Sequence, residues 1–421
     1  MQKVKGTYDV LPSESYKWLF LEKHIHKVMK RHQIDYVRTP VFEYFDVFHR
    51  QSEASDMVTK ETYDFEDRSG RKITLRPEGT AGVIRSIIEN KLITPNHVLK
   101  TYYLGANYRY ERPQKGRYRE FYQTGVEVIG DKQALLDAEV IQIAYEVVST
   151  IGIKDVVVKI NHLGDAKTRL NFKNALKSFL EPLKDRLSED SKMRLESNPL
   201  RILDSKVPSD QALLKGAPVL YDFLTASDQM YFTLVTDILN EYQIPYIVDE
   251  KLVRGLDYYA HVVFELQANI DGFGSQNALG GGGRYDDLVA ELGGPHISGI
   301  GFALGLERIL LAAELQGITF KDETSQYVSV LHMDSESKIE AYRIYKRLLH
   351  NGIDVSFDFS NKAFKTQLKH AISNKHTFAI IVGKDEIDTN TVQIKHLLTQ
   401  TQEVVSMNDI LTYLKKQKGL L

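Results

Sequence analysis

Arg112, Lys115, Arg117 and Arg119 crowd into residues 111–119 against a single acid, Glu111, within the stretch NYRYERPQKGRYREFYQTG at 107–125. Pro113 and Gly116 punctuate the middle, and residues of high strand propensity flank it, so the segment predicts a β-hairpin with a cationic tip. Strand side chains alternate faces, which puts Arg109 with Glu111 on one strand and Arg119, Phe121, Gln123, Gly125 and Glu127 in one row on the other. Arginine forks, a flat aromatic, an amide and a carboxylate would line one surface, and so much positive charge at one turn suits a segment built to hold phosphate. A solvated hairpin with a cross-strand ion pair is the plainer alternative.

Three further constellations carry chemistry. LVRGLDYY at 252–259 sets Arg254 before Gly255, which suggests a guanidinium where backbone comes close to something or else a turn with an exposed arginine, and then gives the pair Tyr258 and Tyr259. GGGGRYD at 280–286 runs four glycines into Arg284 and Tyr285; such a run brings main chain against a ligand or another strand, or is a flexible turn. GIGFALGLERIL at 299–310 passes from a glycine-punctuated strand into a helix carrying Arg308. Its spacing is not the dinucleotide fingerprint, and the chain has no GxxxxGK[ST] loop. The thirteen histidines are scattered without HExxH, so no metal ligands are assigned to protein side chains.

The elements that must position these groups can be read from periodicity. A helix with Ser13 as its N-cap opens the chain, and Tyr36 to Phe42 is extended, with Pro40 at an edge or interface. RPEGTAG at 76–82 turns into a helix. Strands follow at 98–104, 107–112 and 119–129, then a helix at 134–150. Residues 165–240 read as a helical insertion, after which strand-like runs return at 252–266 and 297–304 and a helix covers 305–315. From 327 on, strands alternate with helices in a separate α/β domain, whose Lys362, Lys365 and Lys369 share one helix face.

Composition bounds the setting. At 421 residues the chain has room for two or three domains, and a net charge of -2 leaves nucleic-acid contacts to local basic patches. With no cysteine there are no disulfides or thiolate sites, and the sequence has neither a signal-peptide core nor an apolar run near the roughly 18 residues of a membrane span. The expectation is a cytoplasmic protein with no membrane contact.

YVRTPVFE at 36–43, the 109–127 hairpin and GIGFALGLERIL resemble motifs 1, 2 and 3 of class II aminoacyl-tRNA synthetases, and LVRGLDYY with GGGGRYD resembles the two peptides peculiar to histidyl-tRNA synthetases. The resemblance runs over essentially the whole chain. It implies an α+β fold: a class II antiparallel-sheet catalytic domain flanked by helices at 1–322, interrupted by the 165–240 insertion, and an α/β anticodon-binding domain at 327–421. It implies a homodimer that activates L-histidine with ATP and Mg2+ and transfers it to the 3′ end of tRNA(His). By motif position, Arg109 and Arg254 would bracket the α-phosphate, with Arg254 in the role a metal plays elsewhere in the class. Arg117 and Arg308 would hold the outer phosphates, Glu111 would contact adenine and Phe121 stack on it. Glu78, Thr80 and Gln123 would receive the amino acid's ammonium, Glu127 and Tyr259 its ring nitrogens, and Tyr258 and Tyr285 would complete the histidine site. Arg112, Gln114 and Lys115 would approach the tRNA acceptor end. Asp287 departs from the glycine many members carry there. A histidine-binding regulatory subunit of synthetase descent is the rival reading; such paralogues generally lack the anticodon domain and an intact arginine-bearing peptide, both present here.

Overall fold

A computed structural model describes residues 1–49, 58, 60–94, 97–111, 117–203, 205–253, 258–273, 277–320, 328–360 and 362–417. The chain divides into two compact units, Met1–Phe320 and Lys321–Leu421. The first is built on strands β1 Asp35–Tyr36, β2 Phe42–Tyr44, β3 Tyr63–Glu66, β4 Lys72–Leu75, β5 Leu99–Tyr108, β6 Glu120–Ile129, β7 Val156–His162, β8 Tyr246–Val248, β9 Ala260–Ala268, β10 Ala278–Tyr285 and β11 Gly299–Gly305. Eight form one sheet in the order β1-β5-β6-β11-β10-β9-β7-β8, and β2-β4-β3 form a small antiparallel sheet. The large sheet is antiparallel except where β1 meets β5 and β7 meets β8. This is the mixed α+β architecture expected from the sequence.

Helices Pro12–Arg31, Ala134–Ser149 and Leu306–Leu315 cover one face of that sheet and build the main core with Ile25, Ile141, Phe264, Phe302 and Ile309. The first helix begins at Pro12 with Leu11 in the cap position and no side-chain cap, rather than at a Ser13 cap. Proline fits there because the first helical N–H has no intrahelical partner to lose. Between β7 and β8 lie helices Ala166–Leu180, Glu189–Ser197 and Pro208–Leu213, whose Phe172, Leu176 and Leu195 join Ile202 of the short turn Pro199–Ile202 in a second core shared with Tyr259 and with Val263 of β9. Asp210 ties this small core together. Its carboxylate accepts from the hydroxyls of Ser188, Ser191 and Ser205, each at 2.7 Å. The fourth helix of the segment, Ala226–Glu241, instead packs Phe232, Val235 and Leu239 into the main core.

The glycine run at 280–283 is β10 itself, paired on both sides. A Cβ on Gly282 would lie 1.9 Å from the Gly301 carbonyl oxygen, and one on Gly280 would lie 2.2 Å from the Ala303 oxygen. Only strands without side chains there approach so closely. Beside this run Arg284 and Asp137, both fully buried, form an ion pair that fastens β10 to helix Ala134–Ser149.

The second unit has strands β12 Val328–His332, β13 Val355–Phe357, β14 Phe378–Val382, β15 Thr391–His396 and β16 Gln402–Ser406, in the order β13-β12-β14-β15-β16. The first three are parallel and the last pairings antiparallel. Helices Lys338–His350 and Ile410–Gln417 close its core around Val330, Ile344, Ile380 and Ile410. Among the described residues, no helix is long and apolar enough to cross a membrane.

Candidate active site

Strands β5 and β6 pair from Leu99↔Ile129 to Tyr108↔Glu120, and the chain continues to Arg109, whose N–H donates to the Arg119 carbonyl at 2.9 Å. The hairpin thus delivers Arg109, Glu111, Arg117, Phe121 and Gln123 to one cleft of about 790 Å3, and helix Leu306–Leu315 adds Arg308 from the far side of β11. Arg109 is held by Nε donating to the Pro77 carbonyl at 2.9 Å, with its guanidinium 5.2 Å from the centre of the Phe121 ring. Arg117 pairs with Glu111 at 3.0 Å. Arg308 lies 3.9 Å over the Phe273 ring and donates from Nε to the Ala278 carbonyl at 3.1 Å. Burial, and then the charge of Arg117, lowers its pKa, although it stays a cation at any ordinary pH. Arginines converging on a half-enclosed cleft make a site for a polyanion.

The same face of β6 leads inward from Phe121 and Gln123 to Glu127. Thr80 Oγ1 donates to Glu127 Oε1 and Tyr285 Oη to Oε2, both at 2.7 Å. Room for this carboxylate comes from the opposite strand, because a Cβ on Gly301 would sit 2.1 Å from Glu127 Oε2. Burial raises the Glu127 pKa to about 8 against the pull of the two hydroxyls. Glu78 is buried nearby and accepts from the backbone N–H of Thr80 at 2.6 Å and of Ala81 at 2.9 Å, which caps helix Thr80–Glu89. Gln123 is oriented by Asn107, whose amide donates to its Oε1 at 2.8 Å.

Tyr259 is buried at the end of this pocket, its ring 4.8 Å from that of Tyr258, which in turn meets the Tyr285 ring edge-on at 5.8 Å. The structure therefore assembles two neighbouring groups: Arg109, Glu111, Arg117, Phe121, Gln123 and Arg308 on the cleft, and Glu78, Thr80, Glu127, Tyr258, Tyr259 and Tyr285 in a buried polar cluster. Arg254, Arg112, Gln114 and Lys115 lie outside the described residues.

Tyr103 and Arg76 are essential to this geometry and carry no local sequence signal. The Tyr103 ring fills the space that side chains at Gly79 and Gly125 would take, and its hydroxyl, like that of Tyr258, is buried near Thr80 without a hydrogen bond of normal geometry. Arg76 donates to the carbonyls of Ala106 and Thr39 at 2.7 and 3.0 Å, joining β5 to the 37–41 segment.

One group of possible metal ligands occurs among the described residues, His162, Asp228 and His261, with donor atoms within 4.8 Å of one another. Lys132 already supplies a cation there, donating to His261 Nδ1 at 2.8 Å and lying 3.6 Å from Asp228 Oδ1. His162 Nδ1 accepts from the Gly164 N–H at 3.1 Å, so the neutral ring carries its proton on Nε2, the nitrogen facing Asp228. That is the wrong tautomer for ligation.

Residues 6–309 match the family described as histidyl-tRNA synthetase, and residues 327–417 match an anticodon binding domain. The histidine–tRNA ligase of Acholeplasma laidlawii is 51% identical over 414 residues, covering 98% of this chain and 99% of that protein. The ligase of Oceanobacillus iheyensis is 43% identical over 419 residues, covering 99% and 98%. The crystal structure of the apo histidyl-tRNA synthetase of S. aureus superposes with a TM-score of 0.84 at 35% identity, covering 99% of this chain and all of that one. A mainly antiparallel sheet with an arginine-lined cleft, joined to such a C-terminal unit, defines a class II aminoacyl-tRNA synthetase. Within that class the chain belongs to the histidyl-tRNA synthetase family.

Proposed function

We propose that the chain is a histidine–tRNA ligase, which condenses L-histidine with ATP to histidyl adenylate and pyrophosphate and then transfers the histidyl group to the terminal ribose hydroxyl of tRNA(His), releasing AMP. The observation that carries this reading is the row on β6: one strand face runs from the cationic cleft at Phe121 to a buried carboxylate at Glu127, a continuous path for a nucleotide joined to an imidazole.

In the first step the histidine carboxylate attacks the α-phosphate, and negative charge builds on the phosphoryl oxygens. Fixed guanidinium groups lower that barrier because they are already oriented when the charge develops. Arg109 and Arg254 take the α-phosphate; Arg117 and Arg308 hold the phosphates that leave. Phe121 stacks on adenine and Glu111 accepts from it. Glu78 keeps lone pairs beyond its two backbone bonds, so with Thr80 Oγ1 and Gln123 Oε1 it receives the ammonium. Glu127 and Tyr259 contact the two ring nitrogens, with Tyr258 and Tyr285 closing the walls. A neutral imidazole has one donor and one acceptor nitrogen, and a pocket that bonds both leaves buried groups unpaired when another side chain enters. Mg2+ would neutralise charge on the triphosphate, and Glu265 on the cleft wall, a carboxylate, would be the residue to hold it.

Arg112, Gln114 and Lys115 meet the tRNA acceptor end, and the 327–421 domain meets its anticodon. The 1–322 catalytic domain works as a cytoplasmic homodimer joined through the motif 1 segment, in which Pro40 is exposed and outside any strand. Histidine-dependent exchange of labelled pyrophosphate into ATP tests the reading. Exchange by the wild type, lost in Arg254→Ala, supports it; histidine binding without exchange turns it toward a regulatory subunit.

A further inference from the structure

Strands β9 and β10 fall out of register where they reach the proposed histidine pocket. Gly283 pairs with Val263, yet Arg284 pairs with Ala260, so His261 and Val262 form a bulge on β9. His261 is buried and takes a backbone φ of +51°. That left-handed conformation costs free energy in any residue with a side chain, and such strain gathers where a side chain has to be aimed. The His261 N–H donates to the Gly164 carbonyl at 3.0 Å and its carbonyl accepts from the Leu163 N–H at 2.6 Å, so the bulge is tied to the turn after β7. A single pairing to β10, at Ala260, is left between the bulge and the pair Tyr258 and Tyr259.

The His261 side chain adds a second link to β10. Its Nε2 lies 2.8 Å from Oδ2 of Asp286, the residue after Tyr285 at the end of that strand. The Lys132 ammonium lies 2.8 Å from Nδ1 and farther, 3.2 Å, from Nε2. An ammonium only donates and a carboxylate only accepts, so the ring carries its proton on Nε2, gives it to Asp286 and accepts from Lys132. The other Asp286 oxygen accepts from the Ser298 hydroxyl, which in turn accepts from Arg284. Burial pushes the Asp286 carboxyl up, but its donors His261 and Ser298 outweigh that and hold its pKa at about 2.

We propose that His261 and Asp286 are positioning residues for histidine recognition. Their bridge fastens the bulged start of β9 to the end of β10 and so sets Tyr258 and Tyr259 against Tyr285, whose hydroxyl donates to Glu127. Apolar packing would hold two strands together at least as firmly, but it has no preferred direction, whereas a hydrogen bond to a charge fixes one. The proposal rests on the histidine site of the ligase reading and names two groups that act on that site without touching the substrate.

The test uses full-length His261→Asn, His261→Gln, Asp286→Ala and the double variant of His261→Asn with Asp286→Ala. Asn390 and Gln243 adopt φ of +52° and +55° in this chain, so asparagine and glutamine fit the backbone of the bulge. An asparagine amide reaches only the Nδ1 position, short of Asp286, while a glutamine amide reaches the Nε2 position and can donate. The readouts are KM for histidine and KM for ATP in tRNA-independent pyrophosphate exchange, with urea unfolding alongside. His261→Asn and Asp286→Ala are each expected to raise KM for histidine about 10- to 100-fold while KM for ATP stays within about twofold. His261→Gln should recover most of the loss, and the double variant should be no worse than the worse single one, because both remove the same bridge. Unchanged KM for histidine in His261→Asn and Asp286→Ala, with or without a loss of urea stability, makes the bridge structural only and overturns the proposal while leaving the ligase reading intact. An equal rise in both KM values overturns it as well. Histidine binding by the wild type without exchange removes the ligase reading alone, and the effect of the same variants is then read from the Kd of histidine. A wild type that neither exchanges nor binds histidine removes both.

Discussion

Glu127→Gln isolates the electrostatics of the proposed histidine pocket. The carboxylate is buried between two hydroxyl donors, and its pKa stands at about 8 against an ordinary 4.5. A carboxyl whose folded pKa is raised contributes stability that is fully present below the unfolded value and is lost as pH rises through the folded one. Between pH 4.5 and 8 the empty wild type therefore loses about 1.4 kcal/mol per pH unit, about 5 kcal/mol in all. Glutamine matches the protonated acid in shape and sets a donor group beside an acceptor oxygen, with one N–H more than the acid, so Thr80 or Tyr285 need only turn a hydroxyl to accept from it. Urea unfolding of both proteins, compared at each pH, reads the difference. The variants should agree within about 1 kcal/mol at pH 5, and Glu127→Gln should be ahead by about 3–5 kcal/mol at pH 8.5, while its histidine-dependent exchange is lost. Parallel stability profiles would refute the reasoning, since they would mean that Glu127 is ionised in the empty pocket.

Two further changes test the scaffold. Gly301→Ala places a methyl on Glu127 Oε2 and 2.5 Å from the Val126 carbonyl oxygen, so the pocket must deform. Such overpacking costs about 1–3 kcal/mol, and the KM for histidine in the exchange assay should rise about tenfold or more, with the KM for ATP much less affected. Asp137→Ala leaves Arg284 charged and buried without its partner, which should cost about 3–5 kcal/mol in urea unfolding. Replacing both by apolar residues of similar volume should restore most of that stability; a double variant as weak as the single one would show that the ion pair is not the cause.

The shared face on β6 was legible because strand periodicity is local: Phe121, Gln123 and Glu127 needed only a register to fall on one side of the strand. Elements whose form depends on distant residues were not legible. Residues 98–112 read as two strands broken at Gly105, yet β5 runs unbroken from Leu99 to Tyr108. Gly105 is the place where the strand admits Arg76, whose Nη2 would lie 2.5 Å from a Cβ there. Similarly, the strand expected from 252 begins only at Ala260. Residues 165–240 read as one helical insertion because helical spacing does not reveal which core a helix joins, and Ala226–Glu241 joins the main one. Tyr103 escaped notice because an aromatic in a strand is ordinary until the glycines facing it are known.

The bare stretch where β10 lies against β11 also bears on how such a site changes over time. Gly280, Gly282 and Gly301 each face backbone or a buried carboxylate at distances that exclude even a methyl group. Even the smallest substitution there must shift main chain or displace a buried carboxylate, so every change at these positions carries a cost before it can offer a new contact. Variation in what the site accepts must therefore enter from its margins, through the hairpin tip, the helical segment between β7 and β8, and the residues around Tyr258. The centre acts as a fixed datum against which those margins can drift.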